Sequence, residues 1–425
     1  MQKKFLSLLL AGSLIFTGGC TGSKKIVANP DATQVNILQY KVEFKDQFEK
    51  LADIYNEQHP DVFIKVKSMG GGSDYNSVLK SEIASDNQPA IFNIGGLQDA
   101  HDFSSLLVDL KDTKAAQNAL KGTLDGAMVD GKLYGLPYNV EGYGLVYNKD
   151  IFAKANINPD EIKTYDQLVA AVKKLDAMKD QLEIEAVFAY PAKETWVTGQ
   201  HSSNIFLAPE FGDVNTAFNA KTVEFKYSKA FKDYVDLQNK YSVQPTVSLD
   251  YGMQVEQLFA LDKVAMIQQG NWIYPSLEEM DEDFAQNKVG LIPIPVEGFD
   301  DGKLPVGVPY YWGVNSNKSK EVQDAAIKFL DWMYTSDKGK EIVLKEFKFA
   351  PAYSGFDTSK ISDPLTKTVY SYLDKGQTTN WVFMGYPTDW AMGQLGTQIQ
   401  KYLSGQITWD KMLDECKAKW ESARK

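Results

Sequence analysis

The sequence predicts an α/β fold built on mostly parallel sheet. Two observations carry this. From residue 35 onward, short runs of β-formers alternate with stretches whose apolar residues recur at helical spacing. The connections between them are short, and that pattern implies right-handed crossovers between parallel strands. A body of about 400 residues suggests two or three domains.

The chain opens with Lys3 and Lys4, an apolar run from Phe5 to Phe16, and Thr17-Gly18-Gly19-Cys20. A basic start, a short apolar middle and small residues form a secretory signal. The run is well short of the roughly 20 residues that span a bilayer. Small residues leading to Cys20 resemble a bacterial lipobox, although Thr17 stands where Leu is preferred. In that reading residues 1–19 are removed and Cys20 carries a lipid; the alternative is an ordinary cut near Cys20. Residues 20–32 then form a tether linker. Losing Lys3 and Lys4 takes the net charge from −11 to −13. An acidic surface argues against nucleic acid as a partner.

Val35–Tyr40 reads as the first strand and Phe44, Phe48, Leu51 and Tyr55 as the helix after it. Val62–Val66, a helix through Tyr75, Val78, Leu79 and Ile83, and strand Ala90–Ile94 follow. In such sheets ligands meet the loops at strand carboxyl ends, here Tyr40–Glu43, Met69–Asp74 and Gly95–Asp99. Thr164 and Gln167 have capping-box spacing. A helix runs through Val322–Met333, and the chain ends in helices Gln394–Leu403 and Trp409–Trp420. Cys416 lies on the apolar stripe of the last and reads as buried.

Gly70-Gly71-Gly72-Ser73-Asp74-Tyr75 lacks the spacing and lysine of a phosphate loop and reads as a turn with a Ser73 or Asp74 cap. Two cysteines and three scattered histidines offer no metal site, and no cofactor motif is present. No nucleophile elbow or HExxH motif appears. The Asp281–Asp283 run reads as a solvated face. A glycosidase needs only two carboxylates about 5–10 Å apart, so a secreted glycoside hydrolase stays as the alternative. Glu141, inside an aromatic strand-like run, could be an acid, a metal ligand, a ligand acceptor or a solvated charge. Aromatic residues make up 12% of the chain, and several tryptophans sit beside turn residues. Flat apolar rings stack on sugar faces while nearby amides and carboxylates accept from hydroxyls. Trp332, Trp409 and Trp420 lie on periodic helices and read as core; Trp272 and Trp390 read as ligand platforms.

Five segments in order carry a resemblance. They are Leu133–Phe152, Lys263–Tyr274, Val289–Pro295, Ala325–Ile342 and the C-terminal stretch from Tyr402 to Trp420. Across nearly the whole mature chain, the sequence resembles the sugar-binding proteins of carbohydrate ABC importers, of the maltose-binding type. The likeness is closer to raffinose-type and multiple-sugar binding lipoproteins of Gram-positive bacteria. It implies a two-lobed periplasmic-binding-protein-like fold with a hinged cleft. Each lobe would be a mostly parallel sheet flanked by helices. Residues 33–142 with 294–334 would form the first lobe and 143–293 with 335–425 the second, with crossovers near 140–144, 290–296 and 333–337. The protein would be a monomer outside the cytoplasmic membrane, delivering an oligosaccharide to an ABC permease without catalysis. Val140-Glu141 stands where the family places a carboxylate against sugar hydroxyls. The expected ligand contacts are Tyr40, Glu43, Asn139, Glu141, Trp196, Asn271, Trp272, Tyr311, Trp312, Tyr386, Asp389 and Trp390. Ile94–Gln98 lacks the Asp-Arg pair of the maltose-binding protein, which points away from maltose, and the closer likeness to raffinose-type proteins implies α-galactosides such as raffinose.

Overall fold

The computed structural model describes residues 29–425 apart from 70–74, 86–87, 297 and 299–301. The signal segment, Cys20 and the expected cap at Ser73 or Asp74 therefore lie outside the described residues. Thirteen strands are found among those described. They are β1 (Thr33–Gln39), β2 (Val62–Ser68), β3 (Ile91–Ile94), β4 (Met128–Val129), β5 (Lys132–Leu133), β6 (Leu136–Pro137) and β7 (Glu141–Asn148), then β8 (Ala186–Phe188), β9 (Val264–Gly270), β10 (Val289–Ile292), β11 (Leu304–Gly307), β12 (Tyr311–Val314) and β13 (Thr378–Thr379).

The first lobe follows from its apolar pattern. β1 pairs parallel with β2 and β3, placing Val35 beside Ile64 and Ile37 beside Ile91. Helix Lys45–Gln58 makes the crossover and buries Phe48, Leu51 and Tyr55 against the sheet. β12 then enters antiparallel between β3 and β6, so the order is β2-β1-β3-β12-β6. In the second lobe β7 is buried along its whole length. It pairs antiparallel with β9 on one side and with β10 and β11 on the other; β8 runs parallel to β9. Both sheets are thus mixed rather than mostly parallel. The reason is that β7 and β12 reach their sheets from the other lobe, not through a crossover helix within the lobe. The Thr164–Gln167 capping box is formed, and Cys416 is fully buried on helix Trp409–Ala423.

The crossings between lobes differ from the expected boundaries. The first lies between β6 and β7, close to expectation. The second lies between β11 and β12, because β11 pairs with β7 and β13 in the second sheet; residues 304–307 are not part of the first lobe. Residues 335–353 stay with the first lobe. Ser336 looks like a break but caps helix Asp337–Lys345, accepting from the Gly339 N–H at 3.0 Å. The segment after that helix sends Phe347 and Phe349 onto Phe44 at 6.0 and 4.7 Å between rings. The next helix, Pro364–Asp374, packs on the second sheet, against β7, β10 and β11. The third crossing therefore falls after Tyr353, whose hydroxyl still donates to the Pro137 carbonyl at 2.6 Å.

Candidate functional site

The site forms where β1 ends and β7 begins. The Gln39 side chain fixes the turn: its amide donates to the Lys41 carbonyl at 2.8 Å and its oxygen accepts from the Lys41 N–H at 2.7 Å. Tyr40 is held through its N–H to Asn93 Oδ1 at 2.9 Å, with its ring 4.8 Å from Tyr310. This turn aims the Lys41 ammonium at Glu141 Oε1, which also accepts from Asn139 at 3.2 Å. Lys41, Asn139 and Glu141 are all buried.

The second lobe presents an aromatic wall. Gly270 ends β9 at a close approach: a Cβ there would lie 2.2 Å from the Trp272 ring and 2.4 Å from the Gly142 carbonyl. Asn271 accepts from the Gly142 N–H at 3.0 Å and donates to Thr366 Oγ1 at 3.0 Å, so it braces the start of β7. Trp272 is half-buried, and its indole N–H donates to Gln269 Oε1 at 2.8 Å. Its ring lies 5.2 Å from His201 and 6.1 Å from Trp196. His201 in turn stacks on Tyr143 at 4.3 Å and faces Trp381 at 5.8 Å. Burial, reinforced by the Lys41 charge, lowers the His201 pKa to about 3, so the imidazole is neutral. Trp196 donates to Glu194 at 2.8 Å.

Between the lobes remains a narrow opening, lined by Phe44, Phe347 and Lys348 on one side and Trp272, Pro275 and Asp363 on the other, with Asn139 and Glu141 also bordering it. The two lobes touch along two contact regions. On one, the Lys348 ammonium contacts Glu278 and sits 5.2 Å from the Tyr274 ring. On the other, Thr388 donates to Asp102 at 2.9 Å and Arg424 to Gln98 at 3.0 Å. The arrangement is a closed cleft with aromatic faces and hydrogen-bonding edges.

The family profile described as bacterial extracellular solute-binding protein matches residues 41–340. The chain belongs to this family. Among curated relatives of this solute-binding protein, the melibiose/raffinose/stachyose-binding protein MelE of Bacillus subtilis is 23% identical over 334 residues, 76% of this chain and 74% of that one. An uncharacterised ABC transporter extracellular-binding protein of Pyrococcus horikoshii is 25% identical over 319 residues, 69% of this chain and 71% of its own. Two solved structures share the fold. A chitin oligosaccharide binding protein has a TM-score of 0.77 at 22% identity, covering 93% of this chain and 99% of its own. RafE in complex with raffinose has a TM-score of 0.70 at 17% identity, covering 93% and 100%.

Of the residues expected at the site of this solute-binding protein, Asn139, Glu141, Asn271 and Trp272 border the opening. Trp196 joins the aromatic wall and Tyr40 sits in the turn before Lys41. The Glu43 side chain lies outside what the structure describes. Five of the expected contacts do not border this opening. Trp312 is 1% exposed, stacked on Tyr138 at 4.7 Å, with its N–H donating to Tyr334 at 2.8 Å inside the first lobe. Tyr311 is buried with its hydroxyl against Gly126. Trp390 is 3% exposed; its N–H donates to the Cys416 carbonyl at 2.8 Å and its ring meets Trp420 at 4.7 Å. Tyr386 is buried beside the same Trp420 at 5.1 Å. Asp389 is exposed and left-handed at φ 59°, capping the helical segment Trp390–Gly396. The Cys416 carbonyl and the Trp420 ring hold the Trp390 indole inside the lobe.

The sequence reading missed Lys41, His201, Trp381 and Lys348. Lys41 lies in a loop already marked by strand order, so the signal was present there. His201 and Trp381 face each other only through long-range packing, which no local spacing reveals.

Proposed function

We propose that this solute-binding protein is the receptor of an ABC importer for oligosaccharides, captured outside the cytoplasmic membrane and passed to a cognate permease. The observation that carries the reading is the Trp272–His201–Trp196 wall standing beside the Glu141 and Asn139 acceptors between two lobes. An aromatic face with carboxylate and amide edges suits the alternation of C–H faces and hydroxyls on a pyranose. The relative named for melibiose, raffinose and stachyose favours α-galactosides as the ligand class. Two facts favour binding over hydrolysis. Glu141 is engaged by Lys41 and Asn139. Asp363, at the opposite side, spends its oxygens capping its own helix through the Leu365 N–H and the Thr366 hydroxyl. Neither is presented as one of the free acid–base pair that glycoside hydrolysis needs.

Tryptophan-fluorescence titration with a panel of oligosaccharides that includes raffinose and stachyose tests the reading. Saturable binding without release of reducing ends is the expected result; turnover of any sugar, or no binding across the panel, overturns it. The protein acts as a monomer, tethered at the outer membrane face of a Gram-positive cell by lipid on Cys20. Cys20→Ala then gives a folded, ligand-competent protein released from the membrane fraction. Retention of that variant with membranes refutes the tether.

A further inference from the structure

We propose that Gln269 is the positioning residue that fixes the Trp272 ring as a ligand platform, its own orientation dictated by Gln254 and the Ala189 carbonyl. The proposal deepens the sugar-receptor reading and rests on it. β9 is apolar until its end, where two buried glutamines, Gln268 and Gln269, stand in succession before Gly270. Successive strand residues face opposite sides of a sheet. Gln268 turns into the lobe, where it accepts from Tyr234 and Gln238 at 3.0 Å each and donates to Ser202 at 3.2 Å. Gln269 turns to the aromatic wall, where it accepts from the Trp272 indole N–H at 2.8 Å.

Buried amides are costly unless bonded, and each has a donating end and an accepting end. The Ala189 carbonyl, just after β8, can only accept. It therefore holds the donating end of the buried Gln254, on the helical segment Met253–Phe259, at 2.8 Å. The accepting end of Gln254 then faces Gln269 and takes its amide N–H at 2.6 Å. Gln269 is left with its oxygen toward the indole. A flip of either amide would set acceptor against acceptor and donor against donor, so one backbone carbonyl dictates, through two side chains, what meets Trp272. The opposite edge of the indole is held as well. A Cβ on Gly270 would lie 2.2 Å from Cζ3 and 2.6 Å from Cε3 of Trp272. The six-membered ring thus rests on Gly270 while the N–H is tied to Gln269. A half-buried ring without these ties would turn about its side-chain bonds, and ordering it on binding would cost affinity. Held at both edges, the platform is set before the ligand arrives.

Gln269→Met keeps the length of the side chain and removes both hydrogen-bonding ends. Gln268→Met, one residue back and facing the other way, is the matched control. The chain has eight tryptophans, so with isotope-labelled tryptophan the Trp272 indole N–H signal is assigned by its loss in Trp272→Phe. In the ligand-free parent that proton should be protected from exchange with water. It should shift and lose protection in Gln269→Met and stay unchanged in Gln268→Met. Calorimetric titration uses raffinose, stachyose and N-acetylchitotriose first, then the rest of the oligosaccharide panel. Gln269→Met should bind at least about fivefold more weakly than the parent, the size of one net hydrogen bond. In the Trp272→Phe background, which keeps a ring but no indole N–H, the same substitution should change affinity less than about twofold; that non-additivity separates positioning through the indole from general loosening. Gln268→Met should melt early and bind like the parent. Gln254→Leu leaves Gln269 without a fixed polarity; it should weaken binding and shift the indole signal, and it decides the proposal if Gln269→Met does not fold. The proposal fails while the receptor reading stands if folded Gln269→Met or Gln254→Leu binds like the parent, or if Gln269→Met costs as much in the Trp272→Phe background. An indole proton that exchanges freely in the ligand-free parent overturns it without any variant. If no sugar of the panel binds the parent, the receptor reading fails and takes this proposal with it.

Discussion

Replacing Trp272 with alanine removes the ring at the centre of the aromatic wall. The indole is half-buried, sits 5.2 Å from His201 and borders the opening beside Glu141. Aromatic anchors in a desolvated centre of this kind contribute about 2 kcal/mol or more when truncated. At about 1.4 kcal/mol per decade, that is roughly a 30-fold loss of affinity. The cost to folding should be smaller, because one side of the ring faces the cleft rather than packed core. Trp390→Ala is the matched control. Its ring is 3% exposed and its N–H is bonded at 2.8 Å inside the lobe. Core Trp→Ala changes cost about 3–5 kcal/mol of stability, so this variant should melt early while its folded fraction binds like the parent. Calorimetric titration against the best sugar of the panel, with thermal melts on all three proteins, reads both quantities. Parent-like affinity in Trp272→Ala together with an early melt would refute the placement of the ring in the site. A loss of affinity in folded Trp390→Ala would refute its placement in the core.

Two further outcomes follow from ionisable groups. Asp363 stands at a helix N-terminus near Lys348, both of which favour its charge, yet burial outweighs them and raises its pKa from 3.8 to about 7. Between those values the folded chain holds a proton that the unfolded chain has lost, so this contribution is full below about pH 4 and declines as pH rises through about 7. Asp363→Asn should flatten that decline; urea midpoints at about pH 5 and about pH 8 that fall in parallel for variant and parent would contradict it. Lys348→Met removes the cross-lobe contact to Glu278, whose side chains are 23% and 29% exposed. Partly exposed pairs contribute up to about 1 kcal/mol, a several-fold shift toward open lobes, which should enlarge the radius of gyration of the ligand-free protein in solution scattering; an unchanged curve would show that the contact does not hold the lobes.

The parts of the fold legible in the sequence are those fixed locally. The β1–β3 unit, the Thr164 capping box and the buried stripe through Cys416 each follow from spacing over a few residues. Trp272 was legible because Gly270-Asn271 ends an apolar strand, and only glycine allows the approach of Gly142 and the indole. What was not legible depends on partners distant in sequence. Trp312 is core because Tyr138 and Tyr334 enclose it. Trp390 is core because helix Trp409–Ala423 supplies the Cys416 carbonyl. The third crossing was misplaced because Phe347 and Phe349 look like connection until Phe44 is known to await them.

The insertion of β12 into the first sheet has a consequence for how the chain acquires its structure. β12 lies between β3 and β6, pairing Val314 with Ile91 and Trp312 with Leu136. Until the chain has been made as far as residue 314, the edge of β3 has no neighbour on that side and β6 has nothing to join. The side of the lobe built on Phe44 waits longer, for Phe347 and Phe349. Contacts this far apart in sequence slow folding, because chain entropy is lost before the contacts compensate for it. A nascent chain emerging from its N-terminus therefore stays incomplete over most of its length, without a finished lobe to trap it prematurely. Neither half of the molecule corresponds to one continuous stretch of sequence, so cutting it at a single crossing should yield two fragments that associate rather than two that fold alone.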